Sequence, residues 1–285
     1  MGAVEILWRM SIPELFGLAD AGLDDADVDR DCNLYVSDGM NGRVYKLQPD
    51  GEFDAFSVIR MRSSEPGEGS LNLAVASDSS FCVADADGGS VIRYNERGEH
   101  LGEFPAPGIL SLCQGHEGLL YVLSSVEGAE QINIYDQLGI PIETLPAPVR
   151  HRARLDPGLV NLDCDRDGNV YVSYGMPPYR IWKVSGSEIE TWSRGMDHPE
   201  DAVLIADIAV DSDAGVLWSL LARKESGRQM LDAFSLDGEF LGTTLIPHSR
   251  SLYGVICATG GSELYLLDTS SGPGAGEVLR LLVSV

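Results

Sequence analysis

Four residues in the stretch Asn161 to Gly175, NLDCDRDGNVYVSYG, have the types and spacing of a calcium loop: Asp163, Asp165, Asp167 and Gly168 spell D-x-D-x-D-G. Clustered carboxylate oxygens bind hard cations, and an EF-hand loop adds a bidentate carboxylate at position 12 between two helices. Here position 12 is Tyr174, and Gly168 is followed by the strand-like run NVYVSY. The same place reads DVDRDCN from Asp27 to Asn33 and DSDAG from Asp211 to Gly215. Asp, Asn and Gly recurring at one place suit the backbone of a tight hairpin, so Asp165 and Asp167 are expected to be turn residues.

The elements that carry these turns repeat. The triplets Leu34-Tyr35-Val36, Phe81-Cys82-Val83, Leu120-Tyr121-Val122, Val170-Tyr171-Val172, Leu217-Trp218-Ser219 and Leu264-Tyr265-Leu266 are centred at 35, 82, 121, 171, 218 and 265, a spacing of 39 to 50 residues. Each is preceded by a short apolar run such as DIAVD and followed by a second run such as RVYKL or RIWKV and a turn such as PDGEF. Four short strands per period of 40 to 50 residues describe a β-propeller blade. The chain is therefore expected to be all-β, a single six-bladed β-propeller of four-stranded antiparallel blades. The blades fall at about 22–58, 71–105, 108–146, 159–193, 205–246 and 252–285. EVLRLLVSV supplies only a third strand to the last blade, and AVEILWRM at residues 3–10 is expected to complete it and close the ring.

In such a ring the first strands line a central channel. Aligning them on DIAVD places Asp25, Asn72, Leu110, Asn161, Asp207 and Gly254 at one end of it. Two carboxylates and two amides from different blades could converge on a hard cation such as calcium. A second constellation is basic: Arg60 and Arg62, the run Arg150, His151, Arg152 and Arg154, then Arg180, Arg194, and Arg250 beside His248, with Tyr174 and Tyr179 nearby. Arginine and aromatic side chains around a channel mouth would recognise a protein, a peptide or an anionic small molecule. No G-x-S-x-G, C-x-x-C or H-E-x-x-H sequence is present, and no catalytic residue is assigned on this reading.

The stretches NLDCDRDGNVYVSYGMPPYRIWKV and DVDRDCNLYVSDGMNGRVYKLQPDGEF resemble the NHL repeat, in which an apolar strand ends in Asp before a polar turn and a Tyr-Val strand. That resemblance implies the propeller fold and, as the main expectation, a non-enzymatic recognition or assembly module without a cofactor. The set Asp25, Asn72, Asn161 and Asp207 is similar to that of gluconolactonase-like propellers, which implies the alternative of a calcium-dependent lactonase or phosphotriesterase. The Asn-Gly-Leu-Ala signature of that family is absent, as is a Glu in the first strand of blade one. A peptide-processing lyase of the NHL type would need histidines on channel strands, and none of the five falls there.

Composition narrows the partners. The formal net charge of -24 repels phosphate backbones and anionic lipid, which argues against nucleic acid and membrane surfaces. No apolar run is long enough to span a bilayer, and Glu5 and Arg9 interrupt the N-terminal apolar stretch, unlike a secretory signal. The five cysteines are odd in number and mostly embedded in apolar runs, as expected of buried thiols in a reducing compartment, and a cytoplasmic protein is expected.

Overall fold

The computed structural model describes residues 3–11, 23–39, 41–50, 52–56, 71–85, 88–148, 160–175, 180–193, 203–223, 226, 228–247, 254–268 and 277–284. Among them, six antiparallel four-stranded sheets stand in a ring. After β1 (Ala3–Ser11), blade one holds β2 (Leu23–Val28), β3 (Leu34–Asp38), β4 (Arg43–Leu47) and β5 (Phe53–Phe56). Blade two holds β6 (Leu71–Val75), β7 (Phe81–Asp85), β8 (Ser90–Tyr94) and β9 (His100–Pro105). Blade three is β10 (Ile109–Gln114), β11 (Leu120–Val126), β12 (Ala129–Tyr135) and β13 (Pro141–Pro146). Blade four is β14 (Val160–Cys164), β15 (Val170–Tyr174), β16 (Ile181–Ser185) and β17 (Glu188–Trp192). Blade five comprises β18 (Val203–Asp211), β19 (Val216–Arg223), β20 (Gln229–Ser235) and β21 (Phe240–Leu245). Blade six comprises β22 (Gly254–Gly260), β23 (Glu263–Asp268) and β24 (Glu277–Ser284), with β1 as its outer strand. The six-bladed ring expected from the triplet spacing is thus the fold, closed by the N-terminal strand as expected.

The second strands are buried on both faces, which is why the triplets read as unbroken apolar runs rather than alternating ones. Their side chains fill the seams between blades. Tyr35 packs with Leu73, Phe81 and Val83 between blades one and two, and Tyr171 with Ile208, Leu217 and Phe234 between four and five. A cation strengthens three of these Tyr sites across the sheet: Lys46 lies over Tyr35, Lys183 over Tyr171 and Arg280 over Tyr265.

Closure depends on a bulge in β1. Val4 and Ile6 pair with Val283 and Leu281 and face the seam toward blade five. The register shifts between Ile6 and Trp8, so that Trp8 pairs with Arg280 and turns to the seam toward blade one. There its ring lies 5.7 Å from that of Tyr265, and its Nε1 donates to Pro49 O at 3.3 Å. Arg280 Nη1 donates to the same carbonyl at 3.0 Å, tying the last blade to the first. The cysteines are free thiols, four of them buried and Cys32 half-buried. No helix among the described residues is long and apolar enough to cross a membrane.

Candidate functional site

The innermost strand of a blade is a sheet edge, so its channel-side N–H groups lack ladder partners. This chain meets that need with carboxylates from the preceding blade. Asp25 Oδ2 accepts from Leu73 N at 2.8 Å and Asp27 Oδ2 from Val75 N at 2.7 Å, joining blades one and two. Asp163 Oδ2 accepts from Val210 N at 2.6 Å, and Asp207 Oδ2 from Ile256 N at 2.8 Å. Asn72 makes the corresponding joint as a donor, its Nδ2 bonding Leu110 O at 3.0 Å.

Register sorts the channel residues into tiers. Opposite the triplet centres Tyr35, Cys82, Tyr121, Tyr171, Trp218 and Tyr265 stand Asp27, Ala74, Cys113, Asp163, Ala209 and Cys257, a middle tier. Nearer the end where the first strands begin lie Asp25, Asn72, Ser111, Asn161, Asp207 and Val255, the upper tier. A bulge between Leu23 and Asp25 makes Asp24 an extra residue of β2, and Asp24 and Asp25 both line the cavity. Asp24 Oδ2 accepts from Gly39 N at 2.8 Å and Leu71 N at 3.2 Å, and its Oδ1 accepts no bond among the described residues.

The residues of these tiers, Ala74 excepted, line one cavity of about 1110 Å³. Arg30 and Arg166 are the basic residues among its described lining, both at the end where the first strands finish, and Arg166 is paired with Asp213. The other end has carboxylates and no fixed positive charge among the described lining. Burial therefore dominates their titration, pushing Asp25 up to about 8 and Asp24, Asp27 and Asp163 up to about 7. Asp207 is also raised, by burial first and then by repulsion from Asp25.

The D-x-D-x-D-G stretch is a hairpin turn. Asp165 Oδ1 accepts from Asp167 N and Asn169 N at 3.0 and 2.9 Å, and Oδ2 from Asn169 Nδ2 and the Tyr171 hydroxyl at 2.7 and 2.9 Å. Gly168 holds φ 82°, the left-handed conformation that favours glycine. Asp167 is exposed, and Asp163 belongs to the channel.

The structure brings Asp25, Asn72, Asn161 and Asp207 to the same cavity. Two alignments shift: the DIAVD template comes from blade five, whose middle tier stands nine residues before its triplet centre where blades three and six have eight, so Ser111 and Val255 stand at the tier where Leu110 and Gly254 were expected, and Leu110 packs in the seam of blades three and four. Of the expected binding face, Tyr174 is buried in that same seam, its hydroxyl donating to Glu130 at 2.6 Å, and Arg180 is exposed. Arg60, Arg62, Arg150, His151, Arg152, Arg154, Tyr179, Arg194, His248 and Arg250 lie outside the described residues. Asp24, Asp27 and Asp163 were missed as channel groups. A signal existed: the middle tier stands eight residues before each triplet centre, nine in blade five.

No protein-family model matches the chain, and no curated protein does. Among solved structures the chain resembles the PQQ-bound aldose sugar dehydrogenase of Streptomyces coelicolor, with a TM-score of 0.68 and 15% identity over 100% of this chain and 99% of that one. A gluconolactonase of Xanthomonas campestris gives 0.57 and 16% over 96% and 89%. A streptogramin B lyase gives 0.59 and 11% over 99% and 98%. These likenesses establish the six-bladed β-propeller with neighbours among gluconolactonases and streptogramin lyases. They also correct the expectation of a non-enzymatic recognition or assembly module, because the neighbours are enzymes.

Proposed function

We propose that the chain is a hydrolase dependent on a divalent cation, acting on lactones or phosphoesters at the upper end of the channel. The observation that carries this is the upper tier itself: two carboxylates, Asp25 and Asp207, and two amides, Asn72 and Asn161, line one cavity with no basic side chain at that end among its described lining. Half-buried carboxylates without a positive partner favour binding a cation, and an all-oxygen donor set suits a hard one. The amide NH₂ of Asn72 donates to Leu110 O and that of Asn161 to the Ser173 hydroxyl, which directs both amide oxygens to serve as acceptors. Asp25, Asn72, Asn161 and Asp207 would hold the ion, calcium by the character of these donors. When bound, the ion supplies Lewis-acid polarisation of the substrate's carbonyl or phosphoryl oxygen.

Asp24 is the general base on this reading. It lines the cavity beside the bulge of β2, its Oδ1 is uncommitted among the described residues, and burial raises its carboxyl to about 7 in the cation-free protein, a value that a bound cation lowers toward the ionised form a base needs. Its Oδ1 takes the proton of the attacking water. Asp27 and Asp163 also line the channel, one tier below; like Asp25 they have both oxygens bonded to backbone N–H groups and join blades, each oxygen keeping a further lone pair. We further read the blades as NHL-like, on the Asp-ended first strand, the polar turn and the Tyr-centred second strand.

The test is an assay of chelator-treated protein against lactones, aryl esters and phosphotriesters, with and without added calcium. Hydrolysis of at least one class should require calcium. Asp24→Asn should lower the rate by roughly 10² to 10⁴ while calcium binding persists. No calcium-dependent turnover across the panel, or full activity in Asp24→Asn, would overturn the proposal.

A further inference from the structure

Below the upper tier thiols join the carboxylates of the wall. Cys113 on β10 and Cys164 on β14 come from neighbouring inner strands. Their Sγ atoms and a carboxylate oxygen of Asp163 all lie within 4.8 Å of one another, and all three residues line the channel cavity. We propose that Cys113, Cys164 and Asp163 form a second, thiophilic metal site, selective for zinc over calcium.

Thiolate sulfur favours borderline and soft ions, and two thiolates with one harder donor leave a fourth tetrahedral position for a further ligand. The spacing fits: Zn–S bonds of about 2.3 Å separate two sulfurs on one tetrahedral ion by less than 4.8 Å. Asp163 is already oriented, with Cys164 N donating to its Oδ1 at 2.7 Å and Val210 N to its Oδ2 at 2.6 Å. Such outer hydrogen bonds fix a ligating carboxylate, and each of its oxygens retains a further lone pair. The Cys164 thiol donates to Gln114 O on the neighbouring blade at 3.4 Å, a bond that holds the free thiol in place and is given up when the sulfur ionises on the metal. Binding releases the two thiol protons to solvent through the channel. Cys257, the other middle-tier thiol, stands on blade six and serves as the internal control.

Cobalt(II) titrated into reduced, chelator-treated protein reads the site directly. A single saturating step should bring a sulfur-to-cobalt charge-transfer band and the visible bands of tetrahedral cobalt, and zinc should erase both. Cys113→Ser and Cys164→Ser should each lose the charge-transfer band, Asp163→Asn should weaken binding by on the order of tenfold, and Cys257→Ser should keep the full spectrum. Asp207→Asn, which removes an upper-tier donor, should also keep it, so this site and the proposed hydrolytic one succeed or fail separately. The proposal falls if wild-type protein shows no thiolate–cobalt band, or if the band survives in both Cys113→Ser and Cys164→Ser. It falls equally if mild oxidation in excess zinc joins Cys113 to Cys164 as readily as without metal.

Discussion

At the level of single residues, the channel aspartates combine two demands. Each supplies the hydrogen-bond acceptor that an inner-strand N–H of the next blade lacks, and each thereby becomes a half-buried carboxylate facing others. The folded state holds protons on these groups that the unfolded chain releases. Asp25 rises from 3.8 to about 8, so its folded form binds more protons than its unfolded form throughout that interval. Stability of the cation-free protein should therefore be greatest below about pH 4 as far as Asp25 is concerned and be lost as pH climbs through about 8. Chemical denaturation in chelator at a series of pH values between these limits should show a falling unfolding free energy, and calcium should flatten the fall. A rise across the same range would show that these groups are not buried as described. Asp165 works differently, since four donors converge on it inside a turn. Asp165→Ala strands several of them and should cost about 2–3 kcal/mol or more in urea unfolding. Asp167→Ala, at an exposed position, should change it by less than about 0.5 kcal/mol.

Among the elements, hairpins and ring closure carry the account. Gly168→Ala forces a side chain into the left-handed region, 3.2 Å from the Tyr121 hydroxyl, and should lose about 1–2 kcal/mol, measurable as a lower melting temperature. Removing residues 1–11 strips Val4, Ile6 and Trp8 from two seams and leaves β24 an open edge. That truncation should melt earlier and aggregate in light scattering; unchanged melting and a monodisperse monomer would contradict the role given to β1. The blades were legible because their second strands are buried on both faces, which writes each as an apolar triplet with an aromatic or thiol centre. Asp25, Asn72, Asn161 and Asp207 were legible as polar residues opening those first strands. Asp27, Asp163 and the cysteines were not, because alternation assigns a residue to channel or seam only once the register is known. Leu110 and Gly254 were misplaced for the same reason, the one extra residue between tier and triplet in blade five being enough to reverse the face.

Over the whole molecule, a chain with a net charge of -24 concentrates carboxylates around the axis of its ring, where six inner strands converge and solvent is confined. Such a field draws cations to the channel and supports an enzyme that holds one there. Calorimetric titration of calcium into chelator-treated protein near neutral pH tests this most directly. The account predicts one saturable binding event with proton release, weakened by at least about tenfold in Asp207→Asn and unchanged in Asp167→Ala. Absence of saturable binding, or equal affinity in wild type and Asp207→Asn, would contradict it.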